Sequence, residues 1–288
     1  MISVVVASHN ARTSIRDCLA ALLAQRAEAD AEVLLVDNST DGTAELARAE
    51  FPSVEIMQAP PSALVPQLWE MGIRQSGGDI VALTTAHCFP QSDWLRHIRE
   101  SHQDAAPAVG GAIENDLSAG MVDWAVYFCR YSRYMLPFPL GFVSEIPGDN
   151  ASYKRAVIER FPQAWQGGFW EPAVHAELRR AGFSLLLSPA IVVYHKRSYG
   201  FLGFMRQRFQ HGMQHGRWRS THLGRGGRVL RIMLTPAVPP ILLFRIAGEV
   251  RRRGRHSDKL LISLPILVAF LLSWAIGELV GYLLGPVA

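Results

Sequence analysis

Cysteine is scarce in this sequence, and the little there is follows no pattern. The 288 residues contain three cysteines, Cys18, Cys88 and Cys129, with no Cys-x-x-Cys spacing. Such a set provides neither a disulfide framework nor a zinc site, and it is typical of a reducing compartment. Internal repeats and low-complexity segments are absent as well, and the length suits one large domain with an appendage.

Acidic residues are missing from the most basic part of the chain. Residues 206–231 contain seven arginines and no Asp or Glu, and residues 251–259 contain five cations against one Asp. This excess, in a chain of net charge +4, lies beside apolar segments. It favours a membrane surface or a phosphate-bearing ligand, and we expect no nucleic-acid partner.

Long apolar runs are missing from the first two hundred residues, which have the composition of a globular domain. A basic leader is absent too, because a strand-like stretch starts at Ile2. We therefore expect no signal peptide and a main domain in the cytoplasm.

What is present in this part of the chain is a βαβ rhythm. Short β-branched runs predict buried strands, and apolar stripes at helical spacing predict the helices between them. The predicted strands are Ser3–Ala7, Glu32–Val36, Val54–Met57 and Ile80–Leu83, and the predicted helices include residues 15–23, 43–50 and 68–75. This order predicts an α/β fold with a doubly wound, mainly parallel sheet.

Polar residues follow three of the predicted strands. They are Ser8–Asn10, Asp37–Ser39 and Thr84–His87. Ligands of such sheets bind beyond the carboxyl ends of the strands, so the three clusters predict a binding site at that edge.

Six blocks of sequence, in order, carry a resemblance to a known family. They read SVVVASHN, EVLLVDNSTDGTAELA, GGDIVALTTAHCFPQSDWL, GDNASYKRAVIERF, GGFWEPAVHAELRRAGFSLLLSPAIVVYH and FMRQRFQHG. Together they resemble the family 2 glycosyltransferases, which have the GT-A fold, over residues 2–212. The resemblance implies transfer of a sugar from a nucleotide-diphosphate sugar to an acceptor hydroxyl, commonly with Mg²⁺ or Mn²⁺.

The resemblance also implies which residues bind the donor. These positions are Ala7, Ser8, Asn10, Asp37, Thr85, Gln207 and Arg208. The first three would line the base and ribose pocket, and Asp37 would accept hydrogen bonds from the base or ribose. Gln207 and Arg208 match a helix that shields the diphosphate, and a guanidinium suits a phosphate because it donates in pairs. A turn-forming role is the alternative for Asp37.

The metal motif departs from the family pattern. Where the family has Asp-x-Asp, this chain has Thr85-Ala86-His87. His195 matches a family position where a histidine helps to hold the metal. Mg²⁺ prefers oxygen ligands, whereas Mn²⁺ accepts imidazole more readily, so we expect His87 and His195 to bind a divalent cation, Mn²⁺ or Mg²⁺. Alternatively, His87 hydrogen-bonds the diphosphate and arginines neutralise its charge.

Glu171 is the candidate catalytic base. An inverting transferase needs a carboxylate to take the proton of the acceptor hydroxyl, and the family has it in an acidic motif ahead of a helix. Here Trp170-Glu171-Pro172 precedes a helix predicted over 172–181. The family often uses a following aspartate, whose place Pro172 takes, so the role falls to Glu171 or moves elsewhere.

The acceptor or sugar side is expected at Asp149, Asn150 and Trp170. Asp149 and Asn150 match the family segment that orients acceptor or donor sugar, and Trp170 provides an aromatic face for a sugar. A Pro-Gly turn is the alternative for the first two, and core packing is the alternative for the tryptophan.

The last sixty residues contain the long apolar runs. We expect a catalytic domain over 1–220 and a membrane-associated region over 221–288. Residues 260–284 are long enough to span a bilayer, whereas 232–248 are short and proline-containing, which indicates a re-entrant or interfacial segment. With the basic loop at 251–259 in the cytoplasm, a single span would put Ala288 on the far side of the inner membrane.

The sequence as a whole favours an inverting glycosyltransferase. The expected donor is UDP-linked, and the expected acceptor is a lipid-linked or membrane-proximal glycan of the cell envelope. Loss of the Asp-x-Asp pair leaves an alternative, a catalytically inactive relative that binds nucleotide-sugar within an assembly complex. A nucleotidyltransferase is a weaker alternative, because no glycine- and lysine-rich loop follows the first strand.

Overall fold

The computed structural model describes residues 1–103, 106–221 and 223–286, and it divides into two compact units. The first unit comprises Met1–Asp116 and Tyr134–Lys196, and the second comprises Leu117–Arg133 and the chain from Arg197 onward. The second unit therefore starts earlier than the boundary at 220 that the sequence predicts, and it includes a segment from the middle of the chain. Ala288 lies outside the described residues.

The described residues contain nine strands and eleven α-helices. The strands are β1 (Ile2–Ser8), β2 (Ala31–Asp37), β3 (Glu55–Gln58), β4 (Ile80–Thr85), β5 (Cys88–Pro90), β6 (Ala108–Asn115), β7 (Gly141–Val143), β8 (Asn150–Lys154) and β9 (Leu185–His195). The helices are α1 (Ile15–Ala29), α2 (Thr43–Glu50), α3 (Val65–Gln75), α4 (Trp94–Gln103), α5 (Met121–Tyr131), α6 (Arg155–Ile158), α7 (Glu171–Arg180), α8 (Phe201–Ser220), α9 (Arg225–Leu234), α10 (Val238–Arg253) and α11 (Ser257–Leu284).

All nine strands of the first unit form one sheet. Its order is β3-β2-β1-β4-β8-β6-β9-β5, with β7 paired to β9. Strands β3, β2, β1 and β4 are parallel, as the βαβ rhythm predicts, and β6 is parallel to β9. Strand β8 runs antiparallel between the two parallel groups, which makes the second half of the sheet mixed.

The first strands form where the sequence has uninterrupted apolar runs. Every residue of β1 is buried, which is the pattern of a strand covered on both faces. Helix α3 packs against β1 so closely that a Cβ at Gly72 would overlap Val5. At the start of α2, Asp41 Oδ1 accepts the Thr43 backbone N–H at 3.1 Å, while the N-cap residue itself is Gly42, which makes no side-chain cap.

Helices α8 and α11 of the second unit touch along their backbones. Each contributes two glycines four residues apart, Gly212 and Gly216 on α8 and Gly277 and Gly281 on α11. A Cβ at any of the four would overlap a backbone carbonyl oxygen of the other helix. This is the small-xxx-small mode of close helix packing, and it joins α8 to the C-terminal helices.

Exposed apolar side chains concentrate on the second unit. Val229, Leu230, Met233, Ile241 and Phe244 are each more than half exposed along α9 and α10. Two helical stretches, residues 225–253 and 257–284, are long and apolar enough to cross a membrane by length and composition. The apolar segment at 232–248 is short by itself, as the sequence indicates, but in the structure it is part of the longer helical stretch 225–253. Proline falls instead in the first turns of α10 and of the 3₁₀ segment before it, where a missing N–H costs little.

Candidate functional site

The carboxyl edge of β1, β2 and β4 brings together the residues predicted for the donor pocket. Ser8 pairs with Asp37 across β1 and β2, and Ala7 pairs with Thr85 across β1 and β4. All four residues are buried. The Ser8 hydroxyl has no hydrogen-bond partner among the described residues. A buried hydroxyl in that state is unusual, and a ligand group at this edge is one explanation of it.

Asp37 is held in place by the turn that follows it. The Ser39 hydroxyl donates to Asp37 Oδ1 at 2.5 Å, and the Ser39 backbone N–H donates to Oδ2 at 3.3 Å. These two contacts form the turn that the sequence analysis gives as the alternative role of Asp37. A carboxylate accepts about four hydrogen bonds, so the turn orients Asp37 and leaves it capacity for a ligand.

The loop after β1 is clamped to the loop after β2. Asn10 has a positive φ of 49°, a conformation that non-glycine residues adopt rarely. Its side-chain carbonyl accepts the Thr40 N–H at 3.1 Å, and its own N–H donates to Ser39 Oγ at 2.7 Å. Strained backbone held by its surroundings is common at ligand sites, and these contacts fix the mouth of the predicted base pocket.

His87 and His195 lie at adjacent positions of the same edge. Cys88 pairs with His195 across β5 and β9, and the Lys196 N–H donates to His87 O at 2.8 Å. Both imidazoles are buried. Thr85 belongs to this group as well, and its hydroxyl donates to Cys88 Sγ at 3.5 Å.

The ring orientation of His87 follows from Ser14. Ser14 Oγ lies 3.2 Å from Ala11 O and 3.1 Å from His87 Nδ1. Because Nδ1 is engaged with Ser14, Nε2 is the ring nitrogen that we expect to bind a cation. Ser14 is a supporting residue that the sequence did not indicate.

The donor set here fits a cation only in part. Among the described residues, no group of three His, Cys, Asp or Glu side chains is arranged to hold a metal ion. Imidazole ligands suit a borderline cation such as Mn²⁺ better than Mg²⁺. The remaining ligands of such a cation would have to be oxygens of a bound diphosphate or water.

Glu171 lies against the turn before β8. A Cβ at Gly148 would lie 2.5 Å from Glu171 Cδ, so the carboxylate occupies the space that a side chain would fill. The next residue, Asp149, is buried and accepts the Thr84 hydroxyl at its backbone oxygen at 3.1 Å. Through Gly148 and Asp149, the Glu171 carboxylate is therefore brought to the end of β4. The Pro-Gly dipeptide was visible in the sequence, but its contact with Glu171 was not.

A buried hydrogen bond supports the helix that presents Glu171. Tyr153 Oη and His175 Nε2 are 2.8 Å apart, and both side chains are buried. Burial lowers the pKa of His175 to about 4 and raises the pKa of Tyr153, so both groups are neutral near pH 7. His175 lies one turn after Glu171 on α7 and anchors that turn to β8.

Asn150 and Trp170 differ in what they offer a ligand. Asn150 is 1% exposed, accepts Trp94 Nε1 at 2.8 Å, and donates to the carbonyls of Ala112 and Ile191 at 2.8 and 3.1 Å. Its amide is thereby used to hold the sheet together. Trp170 is 46% exposed just before α7, and it is the better placed of the two to contact a sugar.

Gln207 and Arg208 belong to α8 of the second unit. Gln207 is exposed, whereas Arg208 is half-buried, with its guanidinium carbon 4.2 Å from the centroid of the Trp274 ring. Burial lowers the pKa of Arg208 from its usual value.

Comparison with known proteins agrees with this architecture. Residues 3–161, more than half of the chain, match the sequence profile described as glycosyl transferase family 2. A curated relative, Glycosyltransferase AglE of Haloferax volcanii, is 33% identical over 119 residues, which is 39% of this chain and 39% of that protein. The match thus spans about two fifths of the length of the relative.

Two solved structures share the fold. The mannosyltransferase PcManGT from Pyrobaculum calidifontis, in complex with GDP-Man and Mn²⁺, has a TM-score of 0.58 at 19% identity, covering 96% of this chain and 86% of that one. TarS 1–349 of S. aureus has a TM-score of 0.51 at 13% identity, covering 94% and 71%. These likenesses confirm the predicted GT-A-like fold, and the profile match confirms the resemblance read from the six sequence blocks. The chain belongs to glycosyl transferase family 2.

Proposed function

We propose that this chain is an inverting glycosyltransferase that moves a sugar from a UDP-linked donor to a lipid-linked or membrane-proximal acceptor. The observation that carries the proposal is the convergence of Ser8, Asp37, His87, His195 and Glu171 on one edge of the sheet. Such an edge is where ligands of open α/β sheets bind. The relatives support the nucleotide-sugar class, since PcManGT was solved with GDP-Man.

The proposed site residues have two roles in the transfer, holding the donor and activating the acceptor hydroxyl. Asp37 and Ser8 hold the nucleoside, while Glu171 accepts the proton of the acceptor hydroxyl as its oxygen attacks the anomeric carbon. The bond between the anomeric carbon and the diphosphate oxygen breaks at the same time, and the nucleoside diphosphate leaves. Attack from the side opposite the leaving group inverts the anomeric centre.

His87 and His195 are the side chains that would hold a divalent cation. When bound, the cation neutralises charge on the leaving diphosphate. Ser14 fixes the His87 ring through Nδ1, and such supporting contacts orient a ligand before the cation arrives.

Mn²⁺ is expected to support donor binding and turnover better than Mg²⁺. In a thermal-shift screen of nucleotide-sugars, the true donor should raise the melting temperature more with Mn²⁺ than without, because a ligand bound only to the folded state stabilises it. His87→Ala should raise the Mn²⁺ concentration that this shift requires by about 10–100-fold or more, because even an outer-shell partner of a metal contributes that much to its affinity.

The matched control is His97→Ala on α4, whose imidazole lies within hydrogen-bond distance of Asp93, Arg96 and Glu100 and which has no role in the proposed site. Full turnover in excess chelator would remove the cation from the proposal and leave arginines as the neutralising groups. Donor binding without turnover under every condition would favour the inactive binding subunit instead.

We also propose that the second unit lies at the membrane interface. Helix α8 lies along α11 between Phe204 and Gly216 and carries four arginines. An arginine at the bilayer centre costs about 2.5–3.5 kcal/mol, so a pair of helices that includes α8 is better accommodated in the headgroup region. The single span predicted for 260–284 rests on hydropathy and length.

A reporter fused after Ala288 separates the two arrangements. For an interfacial α11, a reporter active only in the cytoplasm is expected to be active, while washing with high salt should leave the protein on the membrane because apolar side chains hold it there. An inactive cytoplasmic reporter, together with activity of a periplasmic one, would establish the single span and contradict the interfacial placement.

A further inference from the structure

Asn115 is a buried polar residue at the end of β6, in the first unit. Its exposed fraction is 4%, and its Nδ2 atom is buried without a hydrogen-bond partner among the described residues. The side-chain amide has two N–H donors, and a buried donor without an acceptor costs free energy. A group in that condition is unusual in a folded protein, and a ligand that accepts from it is one explanation.

Asn115 lies beside the histidines of the carboxyl edge. It pairs with His195 across the parallel strands β6 and β9. Paired residues of neighbouring strands point to the same face of a sheet, so the side chains of Asn115 and His195 share a face. The Asp116 N–H donates to His195 O at 3.2 Å, and the Lys196 N–H donates to His87 O at 2.8 Å. Backbone contacts therefore connect the end of β6 to both histidines.

Asn150 shows how a structural asparagine is used in the same sheet. It is 1% exposed, and its amide makes hydrogen bonds to Trp94 and to the backbone carbonyls of two other residues. Asn115 is of the same residue type and nearly as buried, yet its Nδ2 bonds to no strand among the described residues. A role in holding the sheet together therefore does not explain the amide of Asn115.

The chemistry of this unmet group selects the ligand. An N–H donor has no lone pair for a cation, so Asn115 Nδ2 does not add to the imidazoles that would hold one. It suits an anion with several acceptor oxygens, because a hydrogen bond to a charged oxygen is stronger than one to a neutral oxygen. The amide turns about χ2, which is a soft torsion, so it can reach a ligand oxygen without backbone movement. A diphosphate beside His87 and His195 offers such oxygens.

We propose that Asn115 is a donor-binding residue whose amide donates to an oxygen of the donor diphosphate. The inference rests on the proposed function, because that function supplies the diphosphate. A neutral amide at this position adds a hydrogen bond to the leaving group without competing for the cation. Its unmet donor lowers the stability of the free protein and becomes satisfied when the donor binds.

Asn115→Leu tests the proposal because it should change stability and binding in opposite directions. Leucine is similar in size and has no unmet donor, so the melting temperature of the ligand-free protein should stay the same or rise. The affinity for UDP with Mn²⁺ should fall by about 10–100-fold, the loss expected for one hydrogen bond to a charged group. The affinity for uridine, which lacks the diphosphate, should not change. Calorimetric titration of the full-length chain measures both affinities.

Two further variants serve as controls. Asn150→Leu removes an amide that the sheet uses, so its melting temperature should fall well below that of the wild type. Asn115→Asp replaces the donor by a carboxylate, which repels a diphosphate, and it should weaken UDP binding at least as much as Asn115→Leu does. GDP and guanosine are titrated in parallel, so an error in the base leaves the comparison intact.

Wild-type affinity of Asn115→Leu for the nucleoside diphosphate, or a fall of its melting temperature to that of Asn150→Leu, would overturn the proposal. Tighter binding of UDP with Mn²⁺ by Asn115→Asp would also overturn it, and would identify Asn115 as a cation ligand through Oδ1. A wild type that binds neither UDP nor GDP contradicts the proposed function and this inference together. A wild type that binds one of them, with Asn115 variants that bind it equally well, contradicts only the role of Asn115.

Discussion

Glu171→Gln is expected to lower turnover by about 10²–10⁴-fold, the usual contribution of a general base. The amide keeps the size of the side chain but cannot accept the acceptor proton. Donor affinity should stay nearly unchanged, because Ser8 and Asp37, the groups proposed to hold the nucleoside, lie on β1 and β2, whereas Glu171 lies on α7. The measurement is initial rate with the donor found by thermal shift, together with the donor dissociation constant.

The matched control for this variant is Glu177→Gln on the same helix. Glu177 forms an ion pair with Arg180 at 3.2 Å and has no part in the proposed site, so its turnover should equal that of the wild type. In Glu171→Gln, loss of the negative charge at the start of α7 should lower the free energy of unfolding by about 0.3–1 kcal/mol, which is too little to unfold the domain. A Glu171→Gln enzyme with wild-type turnover and weakened donor binding would mean that Glu171 binds donor rather than acting as the base.

Gly148→Ala is expected to lower turnover by about 10²-fold while the protein stays folded. The added methyl would lie 2.5 Å from Glu171 Cδ and 2.7 Å from its Cγ, so the carboxylate must move. Gly148 has no positive φ, and the atoms that yield belong to a flexible side chain. A misplacement of about 1 Å at a reacting group is enough for a loss of this size.

Two comparisons make the Gly148 result specific. Gly141→Ala adds the same methyl where it would meet no atom within 4 Å, and it should keep full activity. In a Glu171→Gln background, Gly148→Ala should cost little more, because residues that act through one interaction are not additive. Full activity of the single Gly148→Ala variant, or full additivity with Glu171→Gln, would show that the position of this carboxylate does not matter for turnover.

The sequence by itself determined the first half of the sheet and the outline of its binding edge. Strands β1, β2 and β4 are continuous apolar runs because they are covered on both faces, and such runs are readable without a structure. The polar residues that follow these strands lie at one edge of the sheet because the strands are parallel and paired in register. A helix-start signal such as Pro172 acts within one turn of chain, so local sequence is sufficient to find it.

Only the tertiary structure decided the remaining features, because they depend on residues far apart in the chain. Strand β8 runs antiparallel between β4 and β6, and nothing in its five residues specifies those partners. Helix α5 lies in a stretch without a decodable pattern, and its place is set by packing within the second unit.

Glycines show most clearly which features cannot be predicted from the sequence alone. Gly148 and the four glycines of α8 and α11 matter for what would touch an added Cβ, and a missing side chain has no periodicity to read. Arg130 of α5 and Arg245 of α10 likewise line one cavity of the second unit although they lie far apart in the sequence. Folding brings their charges together, and the local sequence reports only that each one is basic.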